Sequence, residues 1–91
     1  MTTDEIEKCW REIIADKNLV EDRHQIDPRR GDEFRRGWKA SNQRDYKPET
    51  LNKLHWNNLG YRFGKCFGPR DDDEIKQVCE YLAKNHDGTI A

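Results

Sequence analysis

The sequence predicts a small all-α protein, a single domain at residues 1–91 in which three to five helices pack together with an irregular basic segment. At 91 residues the chain is long enough for one hydrophobic core and too short for two. Apolar side chains recur every three or four residues near both ends, which is the period of a helix with one buried face. No segment alternates apolar and polar residues as a strand does.

The first predicted helix covers about residues 3–16. Thr2 and Glu5 have the spacing of a capping box at its start, and Asn18 is expected to end it in the left-handed conformation. Its predicted buried face consists of Ile6, Cys9, Trp10, Ile13 and Ile14.

The last predicted helix covers residues 71–86. Asp71 and Glu74 can cap its start, and Gly88 can end it. Its predicted buried face consists of Ile75, Val78, Cys79 and Leu82.

A third helical pattern covers residues 48–68, either continuous or split at Asn57 and Asn58. Gly60, Gly64 and Gly68 recur every four residues within it. Because glycine has no Cβ, such a line lets another helix approach closely, and we expect the first or last helix to lie there. Two alternatives stay open: Gly68 is a helix stop, and Gly60 marks a bend.

Residues 21–47 are polar and highly charged, and one short helix is expected at residues 32–40. Helical spacing places Phe34 and Trp38 on one side of it and the cations Arg35, Arg36 and Lys39 toward water.

Charge is segregated along the chain although the total is −1. The formal charge is −4 for residues 1–28, +7 for residues 29–70 and −4 for residues 71–91. A basic, aromatic-rich centre is typical of a surface that binds nucleic acid without catalysis. The expected phosphate contacts are Arg35, Arg36, Lys39, Arg62 and Lys65, with Trp38 or Tyr46 stacking on bases if exposed.

Two alternatives compete with nucleic-acid binding. In the first, the aromatic side chains fill the core and the acidic ends pair with the basic centre; for the aromatics this is the favoured interpretation. In the second, the same surface docks an acidic protein partner, as an adaptor would, and this requires an exposed Trp38.

One segment resembles a known kind of protein. The run Leu54-His-Trp-Asn-Asn-Leu-Gly-Tyr-Arg-Phe-Gly64 contains W-x-x-L-G-x-R-x-G. It resembles a segment of small uncharacterised prokaryotic helical proteins, some of which lie beside restriction-type endonuclease domains. The resemblance implies an association with nucleic acid and supplies no catalytic residue.

No cofactor, metal site or enzymatic activity is expected. The three cysteines lack paired spacing, which argues against both a disulfide framework and zinc and favours a cytoplasmic location. Cys9 and Cys79 are interpreted as small core residues rather than redox groups. The acidic start of the last helix disfavours a helix-turn-helix reader, and no apolar run is long enough to span a membrane. The sequence leaves the oligomeric state open.

Overall fold

The computed structural model describes residues 1–21, 29–43 and 51–86. These residues form a small bundle of four helices, which confirms the predicted all-α class. The elements in chain order are α1 (Thr3–Ile14), β1 (Val20–Glu21), α2 (Arg30–Ser41), β2 (Lys53–Leu54), α3 (Trp56–Phe67) and α4 (Asp72–His86). None of the helices in these ranges is long and apolar enough to cross a membrane.

The start of α1 follows the predicted capping box. Thr2 Oγ1 accepts a hydrogen bond from the Glu5 backbone N–H at 3.2 Å, and the Glu5 carboxylate accepts one from the Thr2 N–H at 2.9 Å. The predicted end was wrong, because no non-glycine residue in the described ranges has a positive φ. Asn18 instead donates its backbone N–H to the Asp16 carboxylate at 2.9 Å. Ile14, expected on the buried face, is 41% exposed.

The start of α3 differs most from the prediction. His55 caps the helix by accepting a hydrogen bond at Nδ1 from the Asn58 N–H at 3.3 Å. Asn58 is buried within the first turn and donates its side-chain amide to the Lys53 carbonyl at 2.7 Å. Asn57 and Asn58 therefore belong to the helix and do not split it. Residues 48–50 of the predicted segment lie outside the described residues.

Two short strands precede α2 and α3, and the sequence did not predict them. β1 and β2 pair in parallel, with Val20 opposite Lys53 and Glu21 opposite Leu54. The Val20 N–H also donates to the Asn52 carbonyl at 2.8 Å. A strand of two residues is too short to show alternation, so this pairing leaves no pattern in the sequence.

The glycine line of α3 allows a close helix contact, but with a different partner from the one predicted. At Gly60 a Cβ would overlap the Phe34 backbone, and at Gly64 it would lie 2.7 Å from the Trp38 carbonyl oxygen. Both neighbours belong to α2, not to α1 or α4. Gly37 of α2 completes the contact, since a Cβ there would overlap the Asn57 carbonyl. Gly60 lies within the continuous helix α3, and the close approach of Phe34 accounts for a glycine there.

Gly68 ends α3, as one of the two alternatives for the glycine line predicted. It caps the end of α3 with a φ of 74°, and no neighbouring segment among residues 1–21, 29–43 and 51–86 lies within 4 Å of the position of a Cβ. Its conformation is in the left-handed range of φ that favours glycine.

Aromatic side chains fill the core between α2 and α3. Trp38 donates its indole N–H to the Gly68 carbonyl at 2.9 Å and lies close to the rings of Phe63 and Phe67. Trp10, Trp38 and Trp56 are each at most 2% exposed. The favoured interpretation of the aromatic residues as core is confirmed for these three tryptophans. The other members of the apolar core include Ile6, Cys9, Ile13, Phe34, Leu54, Leu59, Phe63, Ile75, Val78, Cys79 and Leu82.

A polar cluster connects α1 to the end of α4. The Glu7 carboxylate accepts a hydrogen bond from the Tyr81 hydroxyl and lies 2.6 Å from His86 Nε2. The His86 ring stacks on Trp10 with ring centroids 4.8 Å apart. The hydrogen bond from Tyr81, followed by that from His86, lowers the pKa of Glu7. The same contact with Glu7 raises the pKa of Tyr81.

Candidate binding surface

The outer side of α2 carries three of the predicted contact residues. Phe34, Gly37, Trp38 and Ser41 are the buried positions of this helix, and they pack against α3 and the core. The side chains between them point to solvent because of the helical period. We call Arg35, Arg36 and Lys39 the α2 cationic face; their side chains are 44%, 72% and 54% exposed.

Carboxylates surround the α2 cationic face. Lys39 Nζ lies 2.7 Å from the Asp72 carboxylate at the start of α4, and an Arg35 nitrogen lies 3.6 Å from the same group. The hydrogen bond from Lys39, with the charges of Lys39 and Arg35, lowers the pKa of Asp72. Within α2, Arg35 also lies 3.7 Å from Asp32. The expected internal pairing of acidic ends with the basic centre is thus present where α4 begins.

Arg36 is the most exposed member of the face. Its closest described ion-pair partner is Glu33, three residues earlier in α2, at 3.5 Å. Glu33 also accepts a hydrogen bond from the Asn57 side chain at 3.5 Å, so this carboxylate is held against α3. Of the three cations, Arg36 therefore extends furthest toward solvent.

Trp38 does not belong to this surface. It was expected to stack on bases or to dock a partner if exposed, and its exposure is 0%. The prediction that Trp38 stacks on bases was therefore wrong. The helical period that places Arg35 and Lys39 toward solvent places Trp38 in the core. Tyr46, the other candidate for stacking, lies outside the described residues.

Arg62 makes structural contacts. One guanidinium nitrogen lies 3.1 Å from the Asp16 carboxylate and 3.2 Å from the Leu51 carbonyl oxygen. The Arg62 side chain is 17% exposed. Hydrogen bonds from the Asn18 backbone and then from Arg62 lower the pKa of Asp16. Arg62 thus joins α3 to the turn after α1 and to the segment before β2.

The five predicted phosphate contacts do not form one surface. Gly60 and Gly64 face α2, and Arg62 is two residues from each, which places it about 200° around the helix. Lys65 is exposed, lines a cavity with Arg62 and Cys9, and has Nζ 5.4 Å from the centre of the Tyr61 ring. Arg62 and Lys65 therefore lie on the α1 side of α3, apart from the α2 cationic face.

A groove between α2 and α4 borders the α2 cationic face. Its volume is about 300 Å³, and Arg35 lies at its edge. Most of its charged lining is acidic: Asp32, Asp72, Asp73 and Glu80, with Arg35 and Lys76 as the cations. In residues 1–21, 29–43 and 51–86, no group of three or more His, Cys, Asp or Glu side chains is arranged to hold a metal ion.

The sequence did not predict that two of the cysteines lie next to each other. Cys9 Sγ of α1 lies 3.0 Å from Cys66 Sγ of α3. Cys9 is 3% exposed and Cys66 is exposed. The core prediction for Cys9 is confirmed, but the two cysteines are separated by 57 positions, and no spacing rule pairs residues at that distance.

Comparisons with protein-family models, with curated proteins and with solved structures found no match for this chain.

Proposed function

We propose that this protein is a non-enzymatic binding module that holds nucleic acid by its phosphates, through the α2 cationic face. The supporting observation is that three cations lie within one turn of a single helix, each between 44% and 72% exposed. Arg35 and Lys39 are separated by about 6 Å along the helix axis, which suits contacts with neighbouring phosphates.

The rigidity of α2 supports this proposal. Its inner side packs on α3 so closely that glycine is required at Gly37 and Gly60. The Trp38 indole also anchors α2 to the end of α3 through Gly68. Cations on a fixed helix lose less conformational freedom on binding than cations on a loose segment.

A phosphate group can replace the carboxylates that form ion pairs with the α2 cationic face. Asp32 and Asp72 have side chains that are 71% and 55% exposed. Solvent screens exposed pairs of this kind and they contribute little to stability, so replacing a carboxylate by a phosphate costs little. Because the groove beside Arg35 is acidic, the nucleic acid is expected to approach from the Arg36 side.

Binding through phosphates alone carries little sequence information. With Trp38 in the core, no described aromatic side chain of α2 is available to stack on bases. We therefore expect similar affinities for duplexes of different sequence.

The test is fluorescence anisotropy of labelled duplex DNA and single-stranded RNA, with the full chain at 50 and 200 mM salt. If three phosphate contacts form, duplex affinity is expected to fall about 40-fold over this range. The variant Arg35→Glu with Arg36→Glu should abolish binding while the protein stays folded by circular dichroism.

A control with the same change in charge is Lys17→Glu with Lys84→Glu. Both residues are exposed, and Lys84 lies twelve residues beyond Asp72, about 18 Å further along α4. This control should lose far less affinity than the α2 variant. Equal losses in both variants, or unchanged affinity in Arg35→Glu with Arg36→Glu, would exclude the α2 cationic face. No binding of either nucleic acid at 50 mM salt would also overturn the proposal.

A further inference from the structure

We propose that Cys9 and Cys66 form a site of reversible oxidation, at which a low-molecular-weight disulfide converts the two thiols into a disulfide between α1 and α3. This inference is independent of the α2 cationic face and goes beyond the proposed binding function.

The distance between the two sulfur atoms supports the proposal. Cys9 Sγ and Cys66 Sγ are 3.0 Å apart. A disulfide bond is about 2.05 Å long, so closing it requires a movement of about 1 Å, which side-chain rotation can supply. Cys9 lies in α1 and Cys66 in α3, so the disulfide would join two helices whose sulfur atoms are already in contact.

Solvent reaches the pair from two adjoining cavities between α1 and α3. One has a volume of about 300 Å³ and is lined by both cysteines together with Lys8, Glu12 and Phe67. The other, of about 220 Å³, is also lined by both cysteines. A small disulfide can therefore reach Cys66, whose side chain is exposed.

The two thiols have different roles because their exposure differs. Burial, together with the hydrogen bond to Cys66, raises the pKa of the Cys9 thiol and makes it the poorer first nucleophile. The exposed Cys66 is therefore the thiol that attacks the oxidant first, and Cys9 is positioned to complete the reaction.

The chemistry is two successive thiol–disulfide exchanges. The Cys66 thiolate attacks one sulfur of the small disulfide, forms a mixed disulfide and releases one small thiolate. Cys9 then loses its proton to solvent, attacks the Cys66 sulfur and expels the second thiolate. The protein dithiol loses two electrons and two protons, and the small disulfide is reduced to two thiols.

Cys79 provides an internal comparison. It is 1% exposed, and its sulfur lies 3.9 Å from the Arg30 carbonyl oxygen of α2. Cys79 lines the groove between α2 and α4, away from the two cavities that reach Cys9 and Cys66. We therefore expect Cys79 to keep its thiol under conditions that oxidise the pair.

The experiment treats the folded full chain with mixtures of reduced and oxidised glutathione and then unfolds it in guanidinium chloride with N-ethylmaleimide, so that buried thiols are also blocked. The intact mass and the peptide map are then measured. The expected product is a monomer with one blocked thiol at Cys79 and a Cys9–Cys66 disulfide. Cys9→Ser should accumulate glutathione on Cys66, Cys66→Ser should remain reduced, and Cys79→Ser should still form the disulfide.

Three results with the wild-type chain would overturn the proposal whether or not each variant folds. They are a stable mixed disulfide on Cys66, a disulfide that includes Cys79 or a second chain, and three blocked thiols after exposure to oxidised glutathione alone. Return of both thiols on adding excess reduced glutathione is the expected sign of reversibility.

Discussion

At the scale of single residues, the glycines of α2 and α3 have sharply different surroundings. Gly37 and Gly60 lie against the backbone of the facing helix. At Gly31, in the first turn of α2, no other segment of the described chain lies within 4 Å of the position of a Cβ. An added methyl group at Gly60 would force α2 and α3 apart. At Gly31 it would meet no other segment among the residues that the structure describes.

Gly60→Ala is expected to lower the free energy of unfolding by about 3 kcal/mol, because overpacking against backbone cannot be relieved by a side-chain rotation. Gly31→Ala should raise it by about 0.5–1 kcal/mol, since alanine is the better helix former. Urea denaturation of the two variants measures both values. Similar effects of the two substitutions would contradict the close contact at Gly60.

The sequence predicted the cationic side of α2 but not the role of Arg62. Arg35, Arg36 and Lys39 could be placed toward water from helical phase relative to Phe34 and Trp38 alone. The partner of Arg62, Asp16, is 46 positions away in the chain, and only the tertiary fold brings them together. The sequence did not predict the contact between Cys9 and Cys66 either, because only the tertiary fold brings these two residues together.

At the scale of elements, the sequence correctly predicted the starts of α1 and α4, because both have common capping residues. α1 begins at its capping box, and α4 begins where Asp71 accepts a hydrogen bond from the Glu74 N–H at 2.8 Å. The start of α3 was missed because its cap is His55, which is not among the usual capping residues. The packing of α3 on α2 was also missed, although Gly37 and Ser41 are small residues four apart, as Gly60 and Gly64 are.

Arg62 tests whether α3 contributes to the binding surface or to the fold. Arg62→Gln removes the ion pair with Asp16 and the hydrogen bonds to Leu51, and should lower the free energy of unfolding by about 1 kcal/mol, since solvent partly screens the pair. DNA affinity should change much less than in Arg35→Glu with Arg36→Glu. Urea denaturation measures the stability, and fluorescence anisotropy measures the DNA affinity. A loss of affinity without a loss of stability would show that Arg62 belongs to the binding surface.

At the scale of the whole molecule, carboxylates join segments that are distant in the sequence. Glu7 connects α1 to α4, Asp16 connects the turn after α1 to α3, and Asp72 connects α4 to α2. Each of these carboxylates has a lowered pKa in the folded protein. Asp16 and Asp72 therefore join the acidic ends of the chain to the basic centre, and Glu7 joins the two ends to each other.

The free energy of unfolding is expected to fall as the pH is lowered from about 5 toward 2. A carboxyl group with a lowered folded pKa stabilises the protein fully above its unfolded pKa, and this stabilisation is lost as the pH falls through the folded value. Glu7→Gln should be less stable at pH 7 and should show a shallower decline with acid, as measured by urea denaturation at several pH values. A variant with the full wild-type decline would show that Glu7 does not contribute.

The most direct test of the central claim, that the α2 cationic face holds phosphates, is the dependence of duplex DNA affinity on salt. With three phosphate contacts, the slope of log Kobs against log salt concentration should be about −2.7, and Arg35→Gln with Arg36→Gln should reduce it to about −0.9. A wild-type slope near zero, or an unchanged slope in the double variant, would contradict the claim.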